Sequence, residues 1–122
     1  MKVSSVHFIL KGKSDYKDLA PVFPDILKMV LESIDQMPEE EELLQMLIEL
    51  NTVDLEMNRK PEGYNRKGKV RIIFPLDSKE FYLKTYSKPS ELDPIANKIS
   101  EMLTAAKIKF EVKKNERVDF DR

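Results

Sequence analysis

The sequence predicts an α+β fold: a mixed sheet with helices packed on one face and the element order β-α-α-β-β-β-α-β. Three observations predict it. Stretches with an apolar residue at every second position alternate with stretches where apolar residues recur every three or four, so strand and helix periods are both present. A length of 122 residues suits one domain with one core. A hydrophobic share of 41%, a charged share of 35% and a formal net charge of -1 are the composition of a chain that folds.

Residues 2 to 10 set Val6, Phe8 and Leu10 against Val3, Ser5, His7 and Ile9, the alternation of a first strand. Gly12, Ser14 and Asp15 supply turn chemistry between Lys11 and Lys17, and Ile26, Leu27, Val30, Leu31 and Ile34 then recur at helical spacing. Pro21 and Pro24 confine the regular helix to the part that follows them. Pro38 and the acids Glu39 to Glu42, favourable beside the positive end of a helix dipole, open a second helix that carries Leu43, Leu44, Leu47 and Leu50.

The period then changes to two. Val53, Leu55 and Met57 alternate with Thr52, Asp54 and Glu56; Val70, Ile72 and Phe74 alternate with Lys69, Arg71 and Ile73; Phe81 and Leu83 oppose Tyr82, Lys84 and Tyr86. Three antiparallel strands in a meander are the simplest reading. Ser90 or Asp93 caps the next helix, Pro94 sits at its first position, and Ile95, Ile99, Met102, Leu103 and Ala106 form its stripe. Ile108, Phe110 and Val112 make a last strand. Residues 1–114 are thus expected to form one domain, with 115–122 a charged, loosely held tail.

Several function classes are disfavoured. The chain has no cysteine, which removes disulfides, thiolate zinc sites, iron–sulfur clusters and a cysteine nucleophile. No apolar run has the length of a signal core or a membrane span, so a cytoplasmic protein with no membrane partner is expected. Gly12-Lys13-Ser14 lies between a strand and a helix as in a phosphate-binding loop, but the first glycine of that motif falls on His7, leaving an ordinary polar turn. His7 is the single histidine, and local spacing assigns it neither serine nor carboxylate; a partly buried structural role is expected. Asp54 with Glu56, and Asp119 with Asp121, would each share a strand face, which solvation explains as well as a hard cation does. Glu111-Val112-Lys113 carries the E-x-K part of a nuclease site without its Pro-Asp lead-in. No catalytic, cofactor or metal set is assigned, and a non-enzyme is expected.

One segment concentrates charge of one sign. Arg59, Lys60, Arg66, Lys67, Lys69 and Arg71 face the single acid Glu62, with Gly63, Tyr64 and Gly68 between them. A basic hairpin tip with an exposed tyrosine neutralises phosphates and offers a stacking surface, while a solvated loop that blocks edge pairing has the same composition. Arg59, Lys60, Tyr64, Arg66, Lys67, Lys69 and Arg71 are the candidate partner-binding residues, and Lys107, Lys109 and Lys113 are possible additional phosphate contacts. From Leu43 to Ala106 the order of elements is similar to that of double-stranded-RNA-binding domains, and with the first strand to that of ribosome-hibernation factors. Ser90-Glu91-Leu92-Asp93-Pro94 stands where the RNA-binding domains carry lysines, so the similarity is one of order alone. A protein-binding module, such as an adaptor, inhibitor or assembly factor, is the leading expectation. RNA or ribosome binding through residues 59–71 is the alternative.

Overall fold

The computed structural model describes residues 3–64, 69–76, 78–86 and 88–114. Its elements are β1 (Ser4–Leu10), α1 (Tyr16–Leu19), α2 (Phe23–Ser33), α3 (Glu41–Glu56), β2 (Arg71–Ile73), β3 (Glu80–Thr85), a 3-10 turn at Pro89–Glu91, α4 (Asp93–Ala105) and β4 (Phe110–Lys114). The α+β class and the order of elements hold. Tyr64, within the stretch read as the polar connection, forms an isolated extended bridge with Ile72, the two exchanging two backbone hydrogen bonds of 2.8 Å.

The strands lie in the order β2-β3-β1-β4, and every described pairing is antiparallel rather than mixed. The reason is topological. The helical crossovers from β1 to β2 and from β3 to β4 each join strands that run the same way, but a third strand lies between the members of each pair. This interleaving of two β-α-β units is the ferredoxin-like arrangement, a scaffold that serves many unrelated functions.

Alternation along the strands sorts the two faces. Val6 pairs with Leu83 and Phe8 with Phe81, and these residues join the buried residues of the helices in one core. Phe8 stacks on Phe81 with centroids 5.1 Å apart, and Phe23 at the start of α2 meets Phe74 and Phe81 edge-on. Ser5, His7, Tyr82 and Lys84 occupy the other face and stand outside that core. The helices therefore cover one side of the sheet.

The largest departure from expectation is at residues 53–57, which are helical. Leu55 is fully buried while Val53 and Met57 are exposed, so residues that would share one strand face lie on opposite sides of α3. Leu55 continues the inward row of Leu47 and Asn51, and this packing outweighs the short period-two pattern. Asp54 and Glu56 accordingly share no strand face. The helix also begins later than Pro38, with Glu40 as an extended N-cap whose carbonyl accepts from Leu43 N–H and Leu44 N–H.

Three helices end alike. Asp35, Asn58 and Lys107 adopt φ of 56°, 57° and 61° just beyond α2, α3 and α4. In each, the next N–H reaches back five residues: Gln36 to Leu31, Arg59 to Asp54 and Ile108 to Leu103. These are Schellman terminations made without glycine.

Candidate functional site

The basic connection is pinned at Gly63. Asn51, 2% exposed in α3, accepts a hydrogen bond from Gly63 N–H at 2.7 Å and donates to Gly63 O at 3.2 Å and Leu47 O at 2.9 Å. Gly63 has φ of 76°, and a Cβ there would lie 2.3 Å from the carbonyl oxygen of Ile72. Tyr64 is buried in the core, which corrects the expectation of an exposed stacking ring. Among the other candidates, Arg59 pairs with Asp54 at 2.9 Å, Lys60 is exposed, and the carbonyl of Lys69 accepts from the Thr85 hydroxyl. Arg71 is half-buried in β2. Arg66 and Lys67 lie outside the described residues, as does the tail at 115–122.

His7 acquires partners that local spacing did not reveal. Its Nδ1 lies 2.7 Å from Glu80 Oε2 and its Nε2 lies 3.0 Å from Ser5 Oγ, with the ring stacked on Tyr82 at 4.5 Å. A carboxylate only accepts, so Nδ1–H donates to Glu80, while Nε2 shares a hydrogen bond with the Ser5 hydroxyl. The order serine, histidine, carboxylate is that of a nucleophile relay. Ser5 is 1% and His7 5% exposed, so the network joins buried polar groups on the sheet face away from the core. Among the described residues no group of three or more potential ligands could hold a metal ion.

A cleft of about 730 Å³ joins the β1–α1 turn to the α4–β4 turn. Lys13, Lys17, Lys107 and Lys109 line it, and none forms an ion pair among the described residues. Lys109 N–H donates to Ser14 Oγ at 2.9 Å and Lys11 N–H donates to Lys109 O, which ties the two turns together. The Gly12-Lys13-Ser14 turn and the lysines at 107 and 109 thus meet in space. Lys113 lies apart on β4, 3.8 Å from Glu111.

The feature that sequence reasoning missed is the outer face of α3. Leu43, Met46, Leu50, Val53 and Met57 are 43%, 45%, 59%, 51% and 61% exposed. Their spacing alternates three and four, the seam of a coiled coil, and places them within about a quarter of the helix circumference. Leu44, Leu47, Asn51 and Leu55 meanwhile face the domain. The helix therefore has two apolar sides, one packed and one open. Glu42, Glu49 and Glu56, all exposed and seven residues apart, run along one margin of the open stripe. The signal was present: the three-four spacing runs unbroken from Leu43 to Met57, through the residues read as a strand. No described helix is long and apolar enough to cross a membrane. The chain matches no protein-family model, no curated protein and no solved structure.

Proposed function

We propose that this chain is a non-catalytic protein-binding module, and that its partner protein lays a helix along the open stripe of α3. The observation that carries the reading is the row Leu43, Met46, Leu50, Val53 and Met57, exposed on a helix already anchored by its other side. Monomeric domains seldom leave such a contiguous apolar patch in water. Covering the exposed part of five such side chains is worth roughly 1 kcal/mol each before the costs of association. A cytoplasmic location belongs to the same proposal and rests on the absence of cysteine.

The test compares wild type with Leu50→Glu and Val53→Glu in co-purification from the native host. Both residues are surface positions, so stability should change by no more than about 0.5 kcal/mol. A stoichiometric partner held by wild type and lost by both variants, with thermal unfolding unchanged, is the expected result. The same partners on all three proteins would overturn the reading.

A second reading, RNA binding, is supported by the lysine cleft rather than by the 59–71 connection, whose tyrosine is buried. Lys13, Lys17, Lys107 and Lys109 would neutralise phosphates, so affinity should fall with salt and the slope should shrink by about one per lysine reversed to Glu. Fluorescence titration of a single-stranded RNA across a salt series checks this. Absence of binding at low salt would sink it.

A further inference from the structure

Resting on the protein-binding reading and deepening it, we propose that the helix received by α3 has a basic rim and comes from a different protein, not from a second copy of this chain. If Leu43, Leu50 and Met57 take one core position of a heptad and Met46 and Val53 the other, then Glu42, Glu49 and Glu56 all occupy the position that precedes the seam. Asp54 and Leu47 occupy the position that follows it. Position within the helix explains only part of this row. Glu42 in the first turn suits the helix dipole, but Glu56 in the last turn opposes it, and no basic residue stands in that turn to compensate. None of the three glutamates is in an ion pair among the described residues.

Self-pairing meets this row unfavourably in either orientation. Two antiparallel copies would set glutamate against glutamate across the seam, and two parallel copies would set the glutamates against Leu47 and Asp54. Neither arrangement supplies a cation. A partner helix with lysine or arginine at its own flanking positions would meet the row in register every seven residues, and the acidic margin would reject acidic helices of the same apolar pattern.

The test uses the intact chain and two labelled synthetic peptides of about three heptads, each with leucine at both core positions, one flanked by lysine and the other by glutamate. The lysine peptide should bind at least about ten-fold more tightly than the glutamate peptide, the sum expected of a few flanking pairs. Charge reversal by Glu49→Lys with Glu56→Lys should invert that preference, and Leu50→Glu should abolish binding of both. Equal binding of the two peptides, or a preference that survives the charge reversal, would overturn the basic-rim inference while leaving α3 as a docking face. No binding of either peptide, together with unchanged host partners for Leu50→Glu, would overturn the parent reading as well. A dimer in sedimentation that Leu50→Glu dissolves would identify the occupant as a second copy and overturn the inference on that ground.

Discussion

At the scale of single residues, Gly63 decides more than the cations around it. Its φ of 76° and its approach to the Ile72 carbonyl leave no room for a side chain, and Asn51 satisfies both of its backbone groups. Gly63→Ala should therefore cost about 2 kcal/mol or more, because strain and a displaced buried hydrogen bond add. Urea denaturation measures this, and a change below about 0.5 kcal/mol would show that the connection is not pinned as described. The glycine is plain in the sequence, but its need for close approach is not, since Ile72 is nine residues away and Asn51 twelve. The same kind of distance hid the carboxylate partner of His7, since Glu80 arrives only through the pairing of β1 with β3.

At the scale of elements, the helix ends are where conformation and sequence disagree. Lys107 holds a left-handed conformation that costs a residue with a Cβ about 1 kcal/mol, and its side chain lines an open cleft rather than the core. Lys107→Gly should raise stability by roughly 0.5–1 kcal/mol, seen as a higher urea midpoint with an unchanged slope. A lower midpoint would mean that the lysine stem contributes packing. Asn58 ends α3 in the same way, and asparagine is among the few residues that adopt this conformation readily. Read as a helix stop, it would have extended the second helix through Val53 to Met57 and brought out the open stripe. Alternation over a handful of residues cannot by itself be told from a stretch of helix with apolar residues on two faces, and α3 has two.

At the scale of the whole molecule, Asp15 joins three separate parts of the chain. Burial alone would raise its pKa, but hydrogen bonds from Lys79, from Tyr16 N–H and from Asn58, with the nearby lysine charge, outweigh burial and hold it below the ordinary 3.8. A carboxyl depressed in the folded state stabilises the fold above its unfolded value, and that contribution is lost as pH falls through the folded value. Asp15→Asn should thus be less stable than wild type at neutral pH, with the gap closing as pH drops below 3.8. Denaturant midpoints across an acid series check the sign, and a gap that widens on acidification would contradict it.

By itself the sequence determined the class, the order of the elements, β1, the inward stripes of α2 and α4, and the burial of His7, because these rest on periodicity and composition within a few neighbouring residues. Only the tertiary structure decided that the sheet is antiparallel, that Tyr64 turns inward, that the lysines at 13, 17, 107 and 109 meet, and that α3 keeps an apolar face in water. Each of those depends on which distant segments lie beside one another. A side chain's surroundings are set by chain topology, and local spacing specifies which residues share a face but not what that face meets.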